Sequence, residues 1–243
     1  VATCFTTQHA TAELRSVRAY LDTVAPPSLT SITQPTVQHE FHGTYDAPNF
    51  QAGSKPYETE GDLKFDEEGQ PVTQSMETVR FLLLTPSAED IPAEGWPTVL
   101  YAHGTGGDYE SCRSTANVLR EEGFAVLCID QPLHGSRGTG LELDDTELVL
   151  YSFNFLNPRS GRSGFRQSAV DSMTLARMVH SGRFSLSPTE TLSQTEVALN
   201  GDEIYFFGHS HGGLSGALVM GVDPLFKGGV LSGAAGVLVE TIL

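Results

Sequence analysis

Lysine is almost missing from this chain: Lys55, Lys64 and Lys227 are the only three in 243 residues, set against 30 acidic side chains and a formal net charge of −16. That balance argues against nucleic acid, whose phosphates require basic contacts, and against simple adsorption to anionic membranes. The surplus is read as serving solubility. Long apolar runs are missing as well, since none approaches the roughly 20 residues that a membrane-spanning helix needs. Cysteine is scarce: Cys4, Cys112 and Cys128 cannot all pair within the chain, and their spacing matches no zinc pattern. That spacing leaves open whether two of them join or whether they stay thiols, with Cys128 a small hydrophobe in a buried strand and Cys112 on a helix's apolar stripe. No metal or cofactor is expected. No repeat or low-complexity tract is present, and Ala25-Pro26-Pro27-Ser28 to Pro35 is the one linker-like stretch. A hydrophobic content of 39% is enough for one large α/β domain with a substantial core.

The strongest chemical signal is Ile204 to Gly213, where a short apolar strand runs into the pattern GxSxG with Ser210 at its centre. Such a serine sits at a tight turn between strand and helix, and glycines two residues either side are needed because a Cβ there would strike the neighbouring strand or helix. Gly208 and Gly212 meet that demand, and Gly213 to Leu218 supplies the small-residue helix start. Ser210 is therefore read as a nucleophile, with the backbone N–H of His211 at the helix N-terminus placed to hold a developing oxyanion.

About a hundred residues upstream, the buried-strand run Thr98 to Ala102 leads into His103-Gly104-Thr105-Gly106-Gly107. The glycines let this loop turn so that an N–H, that of Thr105, faces the carbonyl under attack, which makes Gly104 and Thr105 the second half of an oxyanion hole and Gly106 part of the pocket. A phosphate-binding loop is the competing reading, but the loop has neither GxxxxGK[ST] nor GxGxxG.

Between these loops the chain alternates as an α/β protein does. Cys112, Ala116 and Leu119 recur at helical spacing, Gly123 is a helix stop, and Phe124 to Ile129 is an unbroken apolar strand of the kind that both faces of a parallel sheet bury. Asp130-Gln131-Pro132-Leu133-His134-Gly135 follows at that strand's carboxyl end, where open α/β sheets bind ligands. An aromatic-bearing stretch, Leu141 to Phe165, precedes a helix from about Arg166 to His180. Gly228 to Gly233 reads as a last strand, and Asp62 to Phe65 and Val79 to Thr85 as early ones joined by the acidic turn Asp66-Glu67-Glu68-Gly69.

Among the histidines, His209 and His211 flank the nucleophile but project away from Oγ, and His103 is expected to pack under the oxyanion loop through hydrogen bonds of its own. His134 is expected at the pocket mouth, the best internal stand-in for a general base. Asp130 and Asp223 read as loop-closing acceptors rather than triad acids. Tyr151, Phe153, Phe155 and Leu156 either line an acyl pocket, which would favour lipid or long-chain esters, or pack on the sheet.

The two loops and the strand order resemble the α/β-hydrolase superfamily, in which the sheet is mostly parallel with helices on both faces. Within it the chain is similar to secreted or surface-anchored bacterial lipase-like proteins of the virulence-factor lipase type, through Phe5-Thr6-Thr7-Gln8 with Thr11 to Leu14, Tyr45 to Phe50, the His103-Gly104 loop, Asn157-Pro158 with Arg166-Gln167 and Asp171, and the Ser210 turn. The resemblance implies a carboxylic-ester hydrolase working through an acyl-Ser210 intermediate on a small-molecule ester or lipid, at an extracellular, cell-surface or periplasmic location, with a further domain upstream. It also implies an acid and a histidine after the serine. No histidine follows His211, and Val1 is not an initiator methionine, so the chain is expected to be an internal fragment whose C-terminal strands are missing. Residues 1–60 are expected as an N-terminal extension of helix and linker, and 61–243 as the partial hydrolase domain. The alternatives are a non-catalytic surface-binding protein that kept the fold, or an inactive fragment.

Overall fold

The computed structural model describes residues 9–33, 36–87, 91–138, 143–194 and 196–234. Cys4, the Phe5–Gln8 segment and Leu141 lie outside them. Alternation of buried side chains organises the centre of the molecule. In β3 (Ser75–Leu84) Phe81 and Leu83 join one core while Leu82 and Leu84 join another, and in β4 (Trp96–Ala102) Leu100 and Ala102 part from Val99 and Tyr101 in the same way. Successive side chains of a strand point to opposite faces, so two cores mean a sheet covered on both sides. Helices α1 (Ala12–Leu21), α4 (Pro158–His180) and α5 (His211–Met220) contribute to the first core, and α2 (Arg113–Glu121) to the second. This double cover is why β5 (Ala125–Ile129) needs no polar residue.

The remaining strands are β1 (Leu29–Thr33), β2 (Glu40–Asn49), β6 (Ser185–Leu186), β7 (Val197–His209) and β8 (Phe226–Ser232). They form one eight-stranded sheet of order β1-β2-β3-β5-β4-β7-β6, with β8 paired to β7. Pairs β4/β5, β4/β7 and β7/β8 are parallel, whereas β1/β2, β2/β3, β3/β5 and β6/β7 are antiparallel. The sheet is mixed, which corrects the expectation of a mostly parallel one. The reason is connection type: among the described residues no helix lies between β1 and β2 or between β2 and β3, and strands joined without a crossover element pair antiparallel.

The sheet and its core include residues on both sides of residue 60. β1 and β2 extend it through ten paired positions between β2 and β3, and Leu14, Val17 and Leu21 of α1 lie in the same core as Phe81 and Met173. Asp62–Phe65 makes only isolated bridges, Gln51 to Leu63 and Phe65 to Pro71, rather than a strand. The Asp66 carboxylate closes the next turn by accepting the N–H groups of Glu68 and Gln70. Helix α4 starts at Pro158 rather than near Arg166, its N-terminus capped by the Asn157 side chain, which accepts the Ser160 N–H at 3.4 Å. The preceding stretch holds a helix of its own, α3 (Asp145–Phe153), opened by a capping box between Asp144 and Glu147.

Cys112 and Cys128 are joined by a disulfide, so neither is the free thiol that their spacing left open. The bond ties the start of α2 to β5 across a separation of 16 residues. A loop of that length stabilises the fold by about 3 kcal/mol when closed.

Candidate active site

β5 lies on one side of β4 and β7 on the other, so the loops leaving their carboxyl ends diverge around β4. That is where an open α/β sheet forms a binding crevice. Ser210 stands alone between β7 and α5 with φ 51° and ψ −111°, a backbone conformation that costs a non-glycine residue of order 1–3 kcal/mol and persists only where the surroundings impose it. Here they do. A Cβ on Gly208 would run into the carbonyl of Gly212, and a Cβ on Gly212 into the carbonyl of Ala102, so strand, turn and helix meet backbone against backbone. The Ser210 N–H donates to the Ser232 carbonyl at 2.8 Å, and its carbonyl accepts the N–H groups of Gly213 and Leu214.

The Ser210 side chain borders an open cavity of about 200 Å3 that is also lined by Gly104, Thr105, Ser111 and His209. The structure thus brings Ser210, Gly104 and Thr105 together from segments a hundred residues apart. His209 is exposed beside them, its ring lying over Gly104, whose absent Cβ would come within 3.0 Å of His209 Cδ2. Gly106 shapes the loop through φ 80° without lining the cavity.

His211 divides its groups between two sides. As the first residue of α5 its N–H has no partner within the helix, while the next N–H, that of Gly212, donates to the His103 carbonyl at 3.1 Å. Its imidazole is buried, stacked on Phe165 with ring centroids 4.4 Å apart and edge-on to Phe153 and His134. His103, His134 and His211 form a row, with centroids 5.0 Å and then 5.4 Å apart. Burial holds all three below the ordinary imidazole range, His134 at about 4.

His103 packs through its own hydrogen bonds. Nδ1–H donates to the Gly104 carbonyl at 2.8 Å and Nε2 accepts the Gln131 N–H at 3.1 Å. His134 differs from the sequence expectation: it is enclosed rather than at a pocket mouth, and it does not line the Ser210 cavity. Leu133, at φ 66°, turns the loop inward, and the His134 Nδ1–H is spent on the Pro132 carbonyl at 2.9 Å. A base must reach the hydroxyl it deprotonates, so the stand-in role is withdrawn.

Asp130 and Asp223 are acceptors, as expected. Burial alone would raise Asp130, but hydrogen bonds from Arg80, Ser136 and the Tyr109 N–H hold it below the ordinary carboxylate range. Asp223 pairs with Arg177 at 2.6 Å and accepts the Leu225 N–H. Of the four candidates, Tyr151 donates to Glu58, Phe153 stacks on Phe155 and lies tilted against Phe165, and Phe155 and Leu156 are exposed; none lines the Ser210 cavity, and α3, which carries Tyr151 and Phe153, packs on α4. Sequence reasoning passed over Gln131, whose buried side chain links three elements. Its position directly after a buried strand at the crevice was the available signal.

Neither a protein-family model nor a curated protein matches the sequence. Solved structures with partial likeness include a provisional acetyl xylan esterase of Bacteroides fragilis, 15% identical, TM-score 0.48, over 88% of this chain and 51% of that one. Another is a cold-adapted esterase from an Arctic intertidal metagenomic library, 15% identical, TM-score 0.46, over 83% of this chain and 63% of that one. A third is acetyl xylan esterase 1 of Thermoanaerobacterium, 14% identical, TM-score 0.45, over 90% of this chain and 57% of that one. The chain therefore spans between 51% and 63% of their lengths.

Proposed function

We propose that the chain carries the nucleophile half of a serine ester hydrolase of the α/β-hydrolase type. The observation that supports this best is the positive φ of Ser210 between β7 and α5, with Gly208 and Gly212 in backbone contact, beside a cavity that the Thr105 loop shares. In this reading Ser210 Oγ attacks the ester carbonyl, the N–H groups of His211 and Thr105 hold the tetrahedral oxyanion, and the alcohol leaves to give an acyl-enzyme that water hydrolyses. The proton from Oγ needs a base. His103, His134 and His211 are enclosed and held neutral, so none of the three is assigned as that base. The substrate is a small-molecule ester. The Cys112–Cys128 disulfide supports a location outside the reducing cytoplasm, in the periplasm, at the cell surface or secreted.

Labelling of the full-length protein with a fluorophosphonate, followed by peptide mapping, tests the assignment. Modification at Ser210 is expected. A folded, unlabelled protein, or one labelled elsewhere, would favour the alternative in which the fold persists as a binding surface without the chemistry.

The oxyanion role of Thr105 belongs to its backbone. Thr105→Val is expected to keep most activity, because the hydroxyl makes only a long contact of 3.5 Å to His211 Nδ1. Thr105→Pro removes the N–H and is expected to cost about 10²–10³ in turnover. Steady-state rates of the two variants side by side decide the matter, and an equal loss in the valine variant would move the donor to the hydroxyl.

A further inference from the structure

The two proposed oxyanion donors come from different loops, and their separation is not set by either loop alone. Thr105 lies two residues after His103 and His211 one residue before Gly212, so the bond from the Gly212 N–H to the His103 carbonyl, 3.1 Å, is the backbone tie between them, beside the long 3.5 Å contact of the Thr105 hydroxyl with His211 Nδ1. That carbonyl has a second lone pair, and the Gln131 side-chain amide fills it. Gln131 also donates its backbone N–H to His103 Nε2 at 3.1 Å. At its other end, Oε1 accepts the Ser168 hydroxyl of α4 at 2.6 Å. His103, Gln131 and Ser168 are 1%, 2% and 2% exposed, so water is not available to replace a lost partner.

The other hydrogen bonds of the 103–107 loop are internal: the Gly107 N–H and His103 Nδ1–H both donate to the Gly104 carbonyl. Its anchors outside itself include the Gly212 N–H, Gln131, the long Thr105 hydroxyl contact to His211 Nδ1 and, farther along, the Asp130 carboxylate at the Tyr109 N–H. Gln131 is the anchor that holds both the His103 carbonyl and its ring.

We infer that Gln131, braced by Ser168, is a positioning residue that sets the distance between the Thr105 and His211 N–H groups through the His103 carbonyl. The inference rests on the proposed function and names a further residue for that chemistry. An oxyanion forms only as the transition state is approached, so misplacing one donor weakens transition-state binding and leaves ground-state ester binding almost unchanged. A displacement of about 1 Å at a reacting centre can cost on the order of 10²-fold in rate.

The test uses the full-length protein and three variants: Gln131→Met, which removes the amide and keeps the bulk; Gln131→Glu, which keeps an acceptor for Ser168 but loses the donor; and Ser168→Ala, which removes only the brace. Fluorophosphonate titration counts competent sites, and kcat and KM are then measured with p-nitrophenyl acetate, together with inhibition by a trifluoromethyl ketone, whose adduct mimics the oxyanion. Per competent site, Gln131→Met and Gln131→Glu are expected to lower kcat about 10- to 100-fold and to weaken the ketone by the same factor. KM is expected to stay within about threefold, and Ser168→Ala to lose roughly three- to tenfold in kcat. A merely structural role would instead lower the number of titratable sites and leave kcat per site and ketone affinity unchanged; that result overturns the inference. If neither Gln131 variant folds, Ser168→Ala decides, and unchanged kcat and ketone affinity overturn it. Failure of the wild type to label at Ser210 would refute the proposed function itself, a separate outcome.

Discussion

Replacing Ser210 by alanine is expected to lower turnover of an activated ester by about 10⁶, with substrate affinity little changed. The size follows from what the residue supplies: without Oγ no acyl-enzyme forms, and only the oxyanion donors remain, a residual effect of about 10³–10⁴ over water. Ser111 and Thr105 also bring hydroxyls to the cavity, so the measurement discriminates. A loss below about tenfold, the size of a change in binding rather than chemistry, would show that one of them, or no serine, carries the reaction. The 243-residue chain made alone is expected to show little turnover, since His103, His134 and His211 are enclosed away from the Ser210 cavity. Turnover by that chain that vanishes with Ser210→Ala would place the base within it, with exposed His209 the first residue to change.

The largest stability effect is expected at Arg137. Arg137 is 4% exposed; its guanidinium donates to Glu77 at 2.9 Å, to Asp171 through a shorter contact, and to the Asp130 carbonyl at 3.3 Å, while Lys55 donates to the Arg137 backbone carbonyl at 2.6 Å. The cluster joins β3, α4 and the turn after β5. Arg137→Met leaves Asp171 fully buried without its cation, and removing one member of such a pair costs about 3–5 kcal/mol. Burial already raises Asp171 despite Arg137, and losing the cation raises it further. The sign follows: the folded variant then binds more protons than the unfolded chain between the unfolded carboxyl value and the raised folded one. Stability of the variant falls as pH rises through that window, so the deficit against wild type is least in acid and full at neutral pH. Urea titrations across pH measure it. Arg137→Met combined with Asp171→Leu is expected to recover most of the loss, because two apolar groups replace a desolvated pair. A deficit that does not change with pH would mean the methionine simply packs badly.

The Ser210 turn was legible because its geometry is local. A serine forced to positive φ needs glycines at fixed offsets, and Gly208 and Gly212 declare them within five residues. The strands buried on both faces, β4 and β5, were legible for a similar reason: double cover removes polar residues from a continuous run. Helix α3 was missed although Asp144 and Glu147 spell its capping box, because its aromatic residues drew a reading as pocket lining.

What only the tertiary structure decided is whatever depends on partners far apart in sequence. The direction of β2 and β3, the pairing of Cys112 with Cys128, and the enclosure of His134 between His103 and His211 have no local signature. Gln131 belongs with them. A glutamine after a strand is ordinary as sequence, and it becomes the link between two loops only because the sheet order sets β4 between β5 and β7, so that the His103 carbonyl, which also accepts the Gly212 N–H, and the Ser168 hydroxyl meet one buried amide. The sequence by itself determined the strand, the turn and the place of Ser210 at that turn; the tertiary structure decided how the groups around them meet, because distances across a core are set by packing that no window of residues contains.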